Sequence, residues 1–312
     1  MINRVLIRVK VLQNLYSYLL TRPEKTVSQA QKDLDKSFEM SYQLYFYILK
    51  LIVELTDLQE RRLDDAKHKF LPTEEDLHPN PRFIYNRLAQ ALRDDPEFTK
   101  FCRDNNITWQ DDIIFLRMML DKVLRSDIYK EYMAGDMGTM ADDCEVWRHL
   151  LKDVILEDPD FEEKIESLSV YWSVEDIDIM GQFAIKTTRR FQDENSEDSP
   201  ILPMFHHEDD KDFAYKLFDY SVQQMDDNNS LIDSFVKTDK WDTERIALMD
   251  RLIMCMAITE YKCFEQIPAN VTLNEYIELA KVFSSPNSGA FVNGILNAAL
   301  NSLKKQGGGF RK

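Results

Sequence analysis

Along residues 2–20, Val5, Val9, Leu12, Tyr16 and Leu19 recur at three- and four-residue spacing, which puts them on one face of a helix. Arg4 and Arg8 are four apart and form a stripe of that same helix. Pro23 ends it. From Ser28 to about Lys69 one periodic pattern runs through Ala30, Leu34, Phe38, Tyr42, Leu49 and Leu55. That is long for a globular helix and leaves room for a break. Leu71–Arg82 contains Pro72, Pro79 and Pro81 and reads as a linker. Further helical patterns cover Phe83–Arg93, Trp109–Leu124, Cys144–Ile155 and Val174–Phe191. The acidic stretch Asp193–Asp198, followed by Pro200 and Pro203, is the best place for a domain junction. This predicts an N-terminal helical region over residues 1–205, a C-terminal bundle over 206–306 and a flexible tail over 307–312.

Beyond the junction, helices are expected over Phe213–Met225 and Ser230–Val236, and Thr243–Phe264 is apolar on most faces and hence central. Thr272 followed by Glu275 has the spacing of a capping box, opening a helix that runs to Phe283. Ser284–Ser288 reads as a loop, and Ser288 can cap a last helix over Gly289–Leu303. No strand pattern competes, so the predicted fold class is all-α, a helical bundle.

Composition narrows the chemistry. Of 312 residues only 8 are glycine, three of them in the tail (Gly307, Gly308, Gly309). Glycine alone adopts positive φ cheaply, so the scarcity argues against tight hairpins and phosphate-cradling loops. No Gly-x-Ser-x-Gly or Gly-x-Gly-x-x-Gly occurs. His206 and His207 beside Glu208–Asp210 look like metal ligands on paper, but a solvated loop is the simpler reading, and no metal or other cofactor is expected. Four scattered cysteines (Cys102, Cys144, Cys255, Cys263) suggest reduced thiols in a cytosolic protein. No apolar run reaches transmembrane length.

Charge is uneven. The formal net charge is −16, yet residues 1–22 carry Arg4, Arg8, Lys10 and Arg22 and no acid. Residues 23–206 hold 39 acids against 23 bases. Such a body repels nucleic acid at long range, so any nucleic-acid contact must be local, with the first helix as its candidate.

Three stretches of the chain carry a resemblance. Val271-Thr-Leu-Asn-Glu-Tyr-Ile-Glu-Leu-Ala-Lys-Val-Phe283 and, four residues on, Ser288-Gly-Ala-Phe-Val-Asn-Gly-Ile-Leu296 resemble the "INEAIELAK-x-F" and "FVNGVL" blocks of the NusB family, at the same spacing. Met249-Asp-Arg-Leu-Ile-Met-Cys-Met-Ala-Ile-Thr-Glu-Tyr261 is similar to the family's preceding helix, and Val11–Tyr18 to its "ALQALYSW" segment. The matches cover about residues 1–20 and 210–305.

The resemblance implies two small three-helix bundles and a transcription antitermination factor of the bacterial cytoplasm, not an enzyme. It implies binding of boxA RNA together with the ribosomal protein NusE, and delivery to elongating RNA polymerase for read-through of ribosomal RNA operons. Position by position it implies RNA contact at Arg4, Arg8, Tyr16, Asp250, Lys281 and Phe291. Val5, Leu6 and Ala290 stand where the family is basic, and Asn287 where it is acidic, so weaker RNA binding is expected. Packing alone would also account for Tyr16 and Phe291, and an arginine partner for Asp250. Asn293-Gly294 inside a helix suggests a close helix approach at Gly294 with Asn293 bonded to backbone. Residues 22–205 depart from the family: part completes the N-terminal bundle and the rest is an acidic helical insertion around Trp109, Trp147 and Trp172, a surface for protein rather than RNA. The alternative is an adaptor that keeps the fold while RNA binding is weakened or lost. A methyltransferase, to which such domains are also fused, is excluded because no glycine-rich cofactor loop is present.

Overall fold

A computed structural model describes residues 1–193, 199–236, 246–285 and 287–305. The chain is all-α: the described residues form fifteen α-helices, and the extended pairing among them is a single parallel bridge between Ile2 and Phe205. By packing, the chain divides into a unit of residues 39–204 (plus Met1) and a unit of residues 2–38 and 205–312. The first helix therefore packs with the C-terminal helices, a different partition from a cut near residue 205.

The 2–38/205–312 unit holds α1 (Arg4–Thr21), the start of α2 (Val27–Lys67), α11 (Asp210–Gln223), α12 (Met225–Val236), α13 (Leu248–Cys263), α14 (Ala269–Phe283) and α15 (Ser288–Lys305). Asn3 caps α1 by accepting the Leu6 N–H. α13 is buried along Leu252–Tyr261 because α1, α11, α12, α14 and α15 all pack on it. Of the predicted 243–264 element, residues 243–245 lie outside the described residues, as do the 307–312 tail and most of the acidic junction. Phe213 meets Phe264 edge to face at 4.9 Å. The beginning of α2 is tied to α11 by Gln31 to Asp219 at 2.6 Å and by Tyr215 to Asp35.

The capping box at Thr272 does not form. Pro268 stands at the N-cap, with φ fixed near its ring value, so α14 begins at Ala269 and Thr272 lies within its first turns. Its hydroxyl is used elsewhere, as described below.

The 39–204 unit holds the rest of α2, unbroken over 41 residues, and then α3 (Glu74–Leu77), α4 (Arg87–Asp94), α5 (Pro96–Asp104), α6 (Ile113–Arg125), α7 (Asp127–Ala134), α8 (Met140–Leu150), α9 (Pro159–Leu168) and α10 (Val174–Arg190). Its core is aromatic. Trp109, Trp147 and Trp172 are buried; Trp109 stacks on Phe115 at 5.2 Å. The indole N–H groups of Trp109 and Trp172 donate to the carbonyls of Tyr47 (2.9 Å) and Met40 (2.8 Å). Four helices escape the periodicity reading because they are short: α3, inside the stretch read as a linker, opens on Thr73, α5 and α9 open on Asp95-Pro96 and Asp158-Pro159, an N-cap aspartate before an N1 proline, and α7 on Ser126. At Gly181 a Cβ would stand 2.6 Å from Leu156 Cδ1, so α10 approaches the turn after α8 as only glycine allows.

Candidate nucleic-acid interface

α1 is where a basic surface was expected, and it presents little of one. Arg4 is partly exposed, but its Nη2 lies 2.9 Å from Asp209 Oδ2 and its Nε 3.4 Å from Asp210 Oδ1. Its guanidinium also stacks over Phe213 at 5.0 Å. Lys10 is buried.

Arg8 corrects the stripe read from the sequence. It is 3% exposed and faces inward, toward other side chains rather than solvent. Nε and Nη2 donate to Glu260 Oε2 (2.8 Å) and Oε1 (3.0 Å) in a fork that matches the carboxylate plane. Glu260 also accepts the hydroxyls of Thr272 (2.8 Å) and Tyr276 (3.1 Å), and Glu275 approaches Arg8 Nη1 at 3.5 Å. Burial opposes the Arg8 charge, but the hydrogen bonds and charge of Glu260 outweigh it and hold its pKa above the ordinary value. Burial, then the Glu260 charge, pushes the Tyr276 phenol well up, so it stays a donor. This cluster locks α1, α13 and α14 together. Sequence reasoning missed Glu260; the available signal was an acid in the apolar run of α13, which burial requires to be paired.

The other expected residues gather where α13 starts, α14 ends and α15 begins. Asp250, 7% exposed, accepts the Ser288 hydroxyl on Oδ2 at 3.0 Å, while the Ser285 N–H donates to Ser288 Oγ at 3.2 Å. The carboxylate thus anchors the 284–288 loop. Among the described residues no arginine pairs with it: the neighbouring Arg251 pairs with Asp233 at 2.9 Å. Asp250 Oδ1 is buried without a hydrogen-bond partner among the described residues. Lys281 is exposed, its Nζ 2.6 Å from Glu278, and its stem crosses α15 at Gly289, where a Cβ would lie 2.9 Å from Lys281 Cγ. Phe291 stands half-buried on the first turn of α15, and Tyr16 half-buried on α1.

The close approach is at Gly289. At Gly294 a Cβ would meet nothing within 4 Å, and the Asn293 side chain accepts from the Asn297 amide rather than bonding to backbone, so the expectation for that pair is corrected. Among the described residues no group of three or more His, Cys, Asp or Glu side chains could hold a metal ion. Burial pushes the thiols of Cys102, Cys144 and Cys255 up to about 12, which leaves them inert. No helix among the described residues is long and apolar enough to cross a membrane.

Residues 173–301 match the model of the NusB family. That segment contains α10–α15 and the Asp250–Ser288 contact, while α1 lies outside it. The transcription antitermination protein NusB of Salinibacter ruber is 39% identical over 106 residues, 34% of this chain and 65% of the relative. That of Dictyoglomus thermophilum is 46% identical over 84 residues, covering 27% and 57%. That of Chloroherpeton thalassium is 37% identical over 97 residues, covering 31% and 45%. The chain thus spans about half to two thirds of the length of these relatives. Their names describe an antitermination protein, not an enzyme. No solved structure matches.

Proposed function

From the match of residues 173–301 to the model of the NusB family, we propose that the chain is a transcription antitermination factor of the bacterial cytoplasm. It binds boxA RNA of nascent ribosomal transcripts together with ribosomal protein NusE and promotes read-through by RNA polymerase. The observation that carries this reading is the α13–α14–α15 junction inside the matched segment, where Asp250 anchors the 284–288 loop between exposed Lys281 at the end of α14 and half-buried Phe291 on the first turn of α15. An aromatic there can stack on an unpaired base and an amine can meet a phosphate. Arg4 and Tyr16 supply the α1 side of the contact. Arg8 and Asp250 act as positioning residues rather than as contacts.

One observation favours a second reading, an adaptor with the family fold and weakened RNA binding. Arg8 and Lys10 are buried and Arg4 is neutralised by two aspartates, so α1 offers few free cations.

The experiment is binding of a boxA RNA to the full chain, with and without NusE, over a salt series. Antitermination predicts affinity that falls with salt, by a log–log slope of about −0.7 per phosphate contact on a single strand. It also predicts loss in Lys281→Glu and Phe291→Ala. If NusE binds and RNA does not, with NusE present or absent, the adaptor reading replaces it.

A further inference from the structure

Over its last three turns α2 lies beside α6, and an open groove of about 1020 Å³ runs between them. Leu58 and Leu63 from α2 and Leu120 from α6 give it an apolar floor. Ile114, 79% exposed, adds an apolar side chain to the α6 surface. Positions 58–67 of α2 cover about 14 Å at about 1.5 Å per residue, the length of about two and a half turns of a further helix.

The polar groups of the groove fall into two sets. Arg62 is bound to Asp121 at 2.7 Å and Lys69 to Asp76 at 2.8 Å, so these are satisfied within the unit. Arg61 on α2 and Arg117 on α6 are exposed and make no ion pair or hydrogen bond with any described residue. Gln59, 7% exposed, lines the same groove, and its Oε1 is buried without a partner. Asp65 lines the groove as well, without an ion pair to a described residue, so two free arginines, one on each wall, stand against one free carboxylate and leave a local excess of positive charge within residues 23–206, where acids outnumber bases 39 to 23.

We propose that this groove docks an acidic amphipathic helix of a protein partner. Its apolar stripe, spaced i, i+3, i+4, i+7, would lie on the leucine floor. Its carboxylates would meet Arg61 and Arg117. RNA is the poorer occupant: the floor is aliphatic rather than an aromatic stacking platform, and the surrounding acids repel phosphates. The inference goes beyond antitermination and does not depend on it.

The test uses the full chain and three labelled probes read by fluorescence anisotropy: an 18-residue helix with a leucine stripe and glutamate flanks, the same helix with lysine flanks, and a 12-nucleotide single-stranded RNA lacking boxA. The glutamate helix should bind at least tenfold tighter than the lysine helix. R61E/R117E should weaken it tenfold or more while leaving thermal unfolding unchanged, since both side chains are exposed. Equal binding of the two helices, indifference to R61E/R117E, or RNA binding that R61E/R117E abolishes would each overturn the proposal.

Discussion

Arg8 and Glu260, 252 residues apart, meet as a two-pronged ion pair with side chains 4% and 0% exposed. Both prongs are near 3 Å, and the remaining acceptor positions of the carboxylate are filled by Thr272 and Tyr276. Removing one partner strands the other's charge in the interior. Arg8→Met should therefore cost about 3–5 kcal/mol of stability in urea denaturation, and Glu260→Gln a comparable loss. R8M/E260L should cost less than the sum of the single changes, because neither charge is left behind. Under conditions where Arg8→Met is still folded, its RNA affinity should equal that of the parent chain; a change in the salt slope would restore Arg8 as a phosphate contact.

Arg4 lies between an RNA-facing role and its two aspartates. If it contacts a phosphate, Arg4→Ala should flatten the log–log salt dependence of boxA binding by about 0.7. Asp209 is 69% exposed and holds Arg4 Nη2, so Asp209→Asn should release the guanidinium and tighten RNA binding a few-fold at low salt. Asp210 is unsuited to this test because it also accepts the His207 N–H and is buried.

Glu54 accepts the Trp109 N–H at 2.8 Å and the Thr108 hydroxyl at 3.0 Å beneath α6. Burial raises its pKa above the ordinary 4.5 despite those donors and nearby Lys50. The folded state therefore holds this proton more tightly than the unfolded chain does. Its stabilising contribution is complete below pH 4.5 and is lost as pH rises through the raised folded value. The stability of the parent chain minus that of Glu54→Gln, from denaturation curves between acid and neutral pH, should fall as pH increases; a difference that is flat or rises would contradict the assignment.

Two glycines should respond in opposite directions. Gly294→Ala places a methyl in open space on α15 and removes a poor helix former, so it should gain about 0.5–1 kcal/mol. Gly181→Ala drives a Cβ into Leu156 and should lose about 1–3 kcal/mol. Melting temperatures of the two variants decide both.

What the sequence disclosed depended on length and on locality. The periodic runs of α1, α10, α13 and α15 show directly in their apolar spacing, and the blocks at 249–261 and 271–296 led to Asp250, Lys281 and Phe291. α5 and α9 are too short to show a period and announce themselves only through their Asp-Pro starts. Arg8 was misread because an arginine four residues from another on a helix looks the same whether it meets water or a carboxylate. Nothing local distinguishes the two when the carboxylate lies 252 positions away. The same holds at Thr272, whose hydroxyl serves Glu260 rather than its own backbone.

The pairing of α1 with helices from the far end of the chain has a consequence for synthesis. The 39–204 unit is essentially one continuous stretch and can close as it leaves the ribosome, whereas α1 must wait for Glu260. At about 5–20 residues per second that interval is roughly 10–50 s. During it the apolar face of α1, with Ile7, Val11, Leu12 and Leu15, has none of its α13 or α14 cover. The nascent chain therefore passes through a stage with this apolar face uncovered, and a late step of its maturation is the capture of its own beginning.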